Sequence, residues 1–558
     1  MEKEYVVTLK SADDATQFHT EMTQSAGGGA IPNRTVDVAN LQPGSLRNTT
    51  YALSDEEAAA LTNDPRVEAV EIPFHLRPNA EVVPCISEPG DYRKIFPYTR
   101  SANWALYRCS YAENPYNAVN DGNTYPDVGD GSYHYHLDGT GVDVVIVDNG
   151  ILTDHPEWED ADGNSRFQQI DWYTAAGVSG TQSQYYYTSA DHGTSVASIA
   201  AGKTFGFAKN AHIYFAQTNG APFGPGLSGS PYSVFDLIRL WHNNKPLQVN
   251  GYKRPTVVNC SFMSAHTTNG SAGAAPHLPD SITYRGTTYT GTQIDTLAKC
   301  EQFGFLEGMN PSINSENEYR YSMAARVAAQ DAEVADLIAA GVHVVGAVGN
   351  RDVSGNLAVS STDADYNNEA YFSQGLRGDQ TGSAVTVQYH RGASPGSAPD
   401  VICVGGTNIS EDKKEFGWAS MSDYRDNLTG IYDNSVRGSR VDVFAPGRNL
   451  SAAGYDDNTA YHADSNYWQR GFSGTSGAAP LVAGVAALAA QLNPHMTPAQ
   501  MREYITTKCV SENQIANWGE TGPVYSSTDY ANTAALNGSP NKFLFNPFGA
   551  VETYKVGS

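Results

Sequence analysis

Charge is sparse in this 558-residue chain, and positive charge is the scarcer kind. Only 17% of residues are charged, with Lys plus Arg at 35 against Asp plus Glu at 60, for a formal net charge of −25. A surface this acidic repels phosphate backbones and anionic lipid, so neither nucleic acid nor a membrane surface is expected as a partner. Cysteine is scarce too. Cys85, Cys109, Cys260, Cys300, Cys403 and Cys509 are scattered without CxxC or zinc-finger spacing. Buried free thiols are the default reading, and disulfide pairing stays open. Long apolar runs are missing. The longest near-apolar stretch, Ala478 to Leu492, contains Pro480, Gly484 and Gln491 and falls short of a membrane span. The opening MEKEYVVTLK lacks the apolar core of a secretory signal. A cytoplasmic or assembly-associated location is therefore expected, and triplets such as Asn48-Thr49-Thr50 carry no weight as glycosylation sites. Hydrophobic residues are not lacking. At 40% they exclude a largely disordered chain. The length suits two to four domains at roughly 100–200 residues each.

Residues 1–79 read as a small α+β domain. Tyr5 to Leu9 is strand-like, Ser11 to Met22 helical, and Ser54-Asp-Glu-Glu57 has the pattern of a capping box ahead of a helix through Leu61. A strand from Val67 to Ile72 closes the unit. Residues 80–135, rich in Pro, Asn, Asp, Gly and Tyr, read as a linker and irregular lead-in segment. From about 136 to 510 the pattern changes. Apolar runs at Val142–Val147, His212–Ala216, Val257–Cys260, Val342–Val348, Val401–Val404 and Val441–Phe444 alternate with helical stretches. Those stretches are Thr194–Ala201, Val234–His242, Ala325–Ala340 and Ser476–Leu492. Strands apolar on both faces belong in a buried parallel sheet, so this is a layered α/β domain. Two polar stretches, about 264–321 and 352–399, break the rhythm and read as surface insertions able to carry an assembly partner. Residues 511–558 are expected to pack on the same domain as a C-terminal extension.

Four polar residues stand where these elements end or begin. Asp148 ends the run Val144-Val-Ile-Val and precedes a turn. His192 opens a small-residue helix in Asp191-His-Gly-Thr194. Asn350 follows the run Val344 to Gly349. Ser476 opens an apolar helix in Gly474-Thr-Ser-Gly477, and Pro480 places the helix start close by, because proline is tolerated in a first turn. Each has an ordinary structural explanation on its own, as a turn or cap residue. Together they place a carboxylate, an imidazole, an amide and a hydroxyl at the ends of buried elements. Active sites of open α/β sheets lie at such strand ends.

The chain order Asp, His, Asn, Ser with these flanks resembles the subtilisin-like serine peptidases, the subtilases. The likeness spans roughly residues 100 to 510. It is carried by Gly474-Thr-Ser476 with Ala479-Pro480 and Val482-Ala-Gly484, by His192-Gly-Thr194, and by Asp148 with Gly150-Ile151 and His155-Pro156. Asp138-Gly-Thr-Gly141, Val257-Val-Asn-Cys-Ser261 and Asp442-Val-Phe-Ala-Pro-Gly447 add to it. Departures are Asn149 where Thr or Ser is usual, Ser195 where His is common, and Gly477 where Met is usual. None removes a catalytic group.

The resemblance implies a three-layer subtilisin-like fold with a parallel central sheet, preceded by a small α+β pro-domain-like domain. It implies a serine endopeptidase with Asp148, His192 and Ser476 as the triad and Asn350 with the Ser476 N–H as the oxyanion site. Polypeptide substrate would lie along Leu227-Ser228-Gly229 and Ser261-Phe262-Met263, with Ala347-Val348-Gly349 as a pocket wall. The N-terminal domain would act as an intramolecular inhibitor. No cofactor is needed for this chemistry, and structural calcium is common in the family. Asp160-Ala-Asp162-Gly-Asn164 has alternating oxygens but no glycine at the sixth place of an EF-hand loop, so it reads as a solvated acidic loop, and the metal site is left unassigned. His134-Tyr-His136 reads as a surface strand. The contrasting expectation is a structural or binding component of a larger assembly, such as a virion, that keeps the fold.

Overall fold

The structure, a computed structural model, describes residues 2–25, 27–41, 47–71, 85–94, 103–113, 131–180, 182, 191–218, 232–248, 251–269, 278–296, 299–300, 302–303, 306–307, 320–350, 368–374, 383–389, 393–407, 435–436, 438–456, 459–515, 536 and 538–549. The chain divides into two compact units, with the boundary at Pro84 and Cys85.

In the first unit, strands Lys3–Leu9, Val38–Leu41, Asn48–Leu53 and Val67–Glu71 form an antiparallel sheet in the order 38–41, 48–53, 3–9, 67–71. Helices Ala15–Thr23 and Asp55–Leu61 bury Phe18, Met22, Ala58 and Leu61 against Val7, Leu9, Tyr51 and Leu53. The capping box forms: the Ser54 N–H donates to Glu57 Oε2 at 2.8 Å, and the Glu57 N–H to Ser54 Oγ at 3.2 Å. The loop between helix and strand runs through Gly28 and Gly29, and Gly29 has φ +63°.

The second unit is built on an eight-stranded sheet. Its order is 510–512, 542–544, 443–446, 402–407, 343–347, 256–260, 143–148, 212–217. All neighbours are parallel except the first pair. The six apolar runs of the sequence are the six central and right-hand strands. They are apolar throughout because helices cover both faces. Helices Val234–Asn244 and Ala328–Ala339 pack one face through Phe235, Ile238, Val334 and Leu337 onto Val145, Val258 and Val344. Helices Asp191–Ala201 and Thr475–Leu492 pack the other face. The architecture is three-layer α/β. Among the described residues, Thr475–Leu492 is the one helix long and apolar enough to cross a membrane, but 83% of it is buried as the central core helix.

The chain starts the sheet at Asp143–Asp148, moves to one side for His212–Gln217, then crosses to the other side for Thr256–Cys260. That reversal opens a crevice at the carboxyl end of the first strand. Asp148 stands there.

Several elements differ from expectation. The helix read as Ala325–Ala340 begins at Ala328. Residues 325–327 stay extended because Ala325 bridges Tyr389 and the Arg326 N–H donates to Gln388 O at 3.1 Å. The two insertions are not mere surface loops. The hairpin of strands Ser281–Tyr284 and Thr287–Thr290 in the first joins the hairpin of Asn368–Phe372 and Val385–Tyr389 in the second, with Ser281–Tyr284 pairing Asn368–Phe372, around a core of Ile282, Phe303, Ala370 and Phe372. The lead-in segment holds a buried helix, Trp104–Cys109, whose Trp104 indole donates to Arg448 O at 3.0 Å and whose Arg108 lies 4.2 Å over the Phe543 ring. His134 is exposed, whereas His136 is buried just beyond strand Tyr133–Tyr135, so the two imidazoles do not share a surface. Helix Pro498–Lys508 is also additional; a capping box of Thr497 and Gln500 with proline at its first position starts it.

Burial holds two histidines under this sheet neutral. It pulls His343 down to about 4 and, with Lys245 nearby, His242 to about 3. His242 bonds Thr256 Oγ1 at 2.8 Å, whereas His343 Nδ1 has no partner among the described residues. Their folded pKa values lie below the ordinary 6.5, so the unfolded chain binds more protons between. Stability is then full above about pH 6.5 and is lost as pH falls, by about 3 kcal/mol for His343 alone. Urea unfolding at pH 7.5 and 4.5 should show this loss, and His343→Leu should narrow the gap between the two midpoints. An unchanged gap would rule His343 out as a source.

Candidate active site

The site is assembled where three buried elements meet. His192 is the second residue of its helix, and Gly193 follows it. A Cβ on Gly193 would stand 2.1 Å from Gly150 O and 3.2 Å from Asp148 Cβ. Glycine is needed there for the helix start to close on the strand end. The resulting contact is a two-point one: His192 Nδ1 lies 2.8 Å from Asp148 Oδ2 and 3.0 Å from Oδ1. The carboxylate only accepts, so the ring proton sits on Nδ1 and Nε2 keeps its lone pair. Asp148 is 4% exposed and also accepts the Asn149 N–H at 2.7 Å.

Burial pulls the His192 pKa down, but the charge and hydrogen bond of Asp148 together outweigh it, and the net movement is above 6.5. Phe472 packs edge-on against the imidazole, with centroids 5.2 Å apart. Ser195 and Ser198 anchor the same helix to strand Leu450–Gly454. Ser195 Oγ donates to Ala453 O at 2.8 Å, and Ser198 Oγ accepts the Ala453 N–H at 2.9 Å. Gly477 faces side chains rather than backbone: a Cβ there would meet Leu450 Cδ1 at 2.5 Å, which a leucine rotamer shift relieves.

Ser476 is the second residue of helix Thr475–Leu492. The helix thus starts at Thr475, and Pro480 lies inside it rather than in its first turn. This has a local benefit. Pro480 has no N–H to donate to the carbonyl four residues back, which is that of Ser476. The freed Ser476 O accepts Ser261 Oγ at 2.9 Å instead, and Ser476 Oγ donates to Ser261 O at 2.9 Å. Asn259 Nδ2 supports Ser261 Oγ at 2.9 Å. The Ser476 hydroxyl therefore points to the Ser261 carbonyl here, and a turn about its Cα–Cβ bond is needed to present it to His192.

Asn350 lies beside the same helix start. Its Oδ1 accepts both the Thr475 N–H at 2.7 Å and Thr475 Oγ1 at 2.8 Å. Two donors fix the amide orientation, so the NH2 group is the end left to meet an anion. The Ser476 N–H is a first-turn donor with no intrahelical partner, at the positive end of an 18-residue helix. Asp148, His192, Ser261, Phe262, Met263, Ala347, Gly349, Asn350 and Ser476 line one cleft of about 360 Å³. Val348 is set apart from it. Neighbouring side chains of extended backbone point to opposite sides, and Val348 is fully buried with its N–H on Val404 O. Leu227, Ser228 and Gly229 lie outside the described residues.

Four contributors escaped the sequence reading: Asn149 and Thr218, which line the cleft, Thr475, which orients Asn350, and Phe472, which braces His192. His155 of the His-Pro pair has a supporting role. Its Nδ1 accepts the Glu157 N–H at 3.1 Å, so Nε2 donates to Trp468 O at 3.0 Å, steadying the strand that carries Phe472. At the Asp160 loop, Asp160 Oδ1 accepts the N–H groups of Asp162 and Asn164 at 2.9 and 2.8 Å, which closes the turn. Among the described residues, no three His, Cys, Asp or Glu side chains gather to hold a metal.

Asp148→Asn removes the charge that raises the His192 pKa and leaves burial in place. NMR titration of the imidazole should give a value above 6.5 in the intact protein and below it in the variant. Equal values would mean that the carboxylate does not control the ring.

Residues 139–535 match a family model described as the subtilase family. The chain is 23% identical over 504 residues to an extracellular serine proteinase of Thermus sp. strain Rt41A, which covers 90% of this chain and 76% of that protein. It is 34% identical over 110 residues to proprotein convertase subtilisin/kexin type 9 of Rattus norvegicus, covering 20% of this chain and 13% of the other. A crystal structure of a cold adapted subtilisin-like serine proteinase aligns at 20% identity and a TM-score of 0.41, covering 79% of this chain and 97% of that one.

Proposed function

Because the chain belongs to the subtilase family of serine peptidases, we propose that it is an endopeptidase acting through an acyl-enzyme on Ser476. The observation that carries this reading is the Asp148–His192 hydrogen bond, at 2.8 Å, in a cleft shared with Ser476 and Asn350. The Ser476 hydroxyl turns to His192 and attacks a peptide carbonyl carbon. Its proton passes to Nε2, whose lone pair the Nδ1–Asp148 bond keeps available. The carbonyl oxygen becomes an oxyanion held by the Asn350 NH2 and the Ser476 N–H. Collapse breaks the C–N bond, and His192 returns the proton to the leaving amine. Water, deprotonated by the same ring, then releases the acid and restores the serine.

We infer that the N-terminal unit is the intramolecular inhibitor, and self-cleavage within about residues 79–101 would release it. Its separate core and the family membership support this.

Rates with a peptide ester test the roles. Ser476→Ala is expected to lower kcat about a millionfold, the size established for subtilisin. Asn350→Ala is expected to lower it by about 10² to 10³, again the subtilisin size. A variant of either residue with undiminished kcat contradicts its role. The base must be neutral to act and its pKa is raised, so the acid limb of kcat/KM should lie above pH 6.5. A limb well below 6.5 would contradict His192 as the base. N-terminal sequencing of active protein should begin within 79–101, whereas Ser476→Ala should keep Met1; identical termini in both would refute self-cleavage.

A further inference from the structure

The attacked carbonyl, on the reading of Ser476 as nucleophile, must sit between its hydroxyl, its N–H and the Asn350 amide. The side chain next to that carbonyl must enter the gap beside them. Two segments bound the gap: residues 261–263, which follow strand Thr256–Cys260, and residues 347–350, at the end of strand His343–Ala347. These strands are neighbours in the sheet, so the segments face each other across one strand spacing.

The two walls are unequal. Gly349 has no side chain, and its φ of +112° keeps it glycine. Its carbonyl accepts the Val436 N–H at 3.0 Å, which fixes it in place. A bare wall of this kind leaves room for an incoming group. Here the room is already filled. Met263 Sδ and Cε lie 3.0 and 3.4 Å from where a Cβ on Gly349 would project, and Val436 Cγ2 lies 3.8 Å away. The thioether is packed against Gly349, and both residues line the cleft with Ser476.

We propose that Met263 is a specificity-determining residue whose side chain fills the space for the substrate side chain adjacent to the attacked carbonyl. Polypeptides with Gly, Ala or Ser at that place are then the preferred substrates, and Leu, Phe or Tyr are disfavoured. A larger side chain has to displace the methionine from Gly349 before the carbonyl can reach Asn350. A misfit of a methylene or more in such a pocket changes kcat/KM by about 10- to 200-fold. Methionine is flexible enough to yield, so the preference is graded rather than absolute.

The test uses peptides that differ only at this residue, as Ala, Leu or Phe, with active sites counted by a fluorophosphonate probe. The intact protein is expected to favour Ala over Phe by at least about tenfold in kcat/KM. Met263→Gly and Met263→Ala should each raise the Phe-to-Ala ratio by at least about tenfold. Equal use of Phe and Ala by the intact protein overturns the proposal, as does an unchanged ratio in a variant that still labels. If both variants fail to label, the profile of the intact protein decides. Failure of the unsubstituted protein, once its N-terminal unit has been released, to label or to cleave any peptide overturns the peptidase reading and this inference with it, so the two failures are told apart.

Discussion

The molecule's chemistry depends on how closely one helix can approach one strand. At Gly193 the backbone of the His192 helix comes so near Gly150 that a methyl group would overlap its carbonyl. Only through that approach does the imidazole reach the Asp148 carboxylate. Burial alone would pull this histidine's pKa below the ordinary 6.5 and leave either ring tautomer open. The carboxylate settles both matters, raising the ring's basicity and fixing the proton on Nδ1. The rest of the fold holds these two elements in register. The reversal of strand order opens the crevice, the Ser195 and Ser198 hydroxyls fasten the helix from behind, and Phe472 closes one side of the ring.

Ser476, the residue proposed as nucleophile, is held by a complementary device. A proline six residues into its helix breaks a backbone hydrogen bond, and the freed carbonyl is taken up by Ser261. Proline in a helix interior costs about 3 kcal/mol in general. Here its missing donor lets Ser261 and Ser476 bond each other reciprocally, so the segment that bounds the cleft is tied directly to the residue proposed to react. Thr475 ties Asn350 to the same helix start. Donors fixed in advance need little reorganisation as charge develops, which is the main source of oxyanion stabilisation.

Much of this was legible in the sequence, for physical reasons that also mark the limits. Six Val- and Ile-rich runs were readable as parallel strands because burial on both faces leaves no polar alternation. Asp148, His192, Asn350 and Ser476 were readable as residues of one cleft because the first ends a buried strand, the third follows one, and the other two open buried helices. Phe472 was not, because bracing a ring is a contact between distant segments with no local pattern. Met263 was visible as a cleft residue, but its packing on Gly349 depends on backbone positions that spacing does not reveal. Pro480 misled, since the first-turn rule ignores a tertiary donor able to satisfy the orphaned carbonyl. The insertions looked like loops because their two hairpins are joined only through the distant pairing of Ser281–Tyr284 with Asn368–Phe372, which no local pattern marks. The Thr497-Pro498-Ala499-Gln500 box was a usable signal for a helix and was passed over.

Trapping the covalent intermediate tests the account most directly. The protein, mixed with an activated peptide ester and quenched in acid, is digested and mapped by mass spectrometry. An acyl group on the peptide containing Ser476, absent when Asp148 is replaced by Asn, is the expected result. An acyl group at another residue, or turnover of the ester with no adduct on Ser476 at any time, would contradict it.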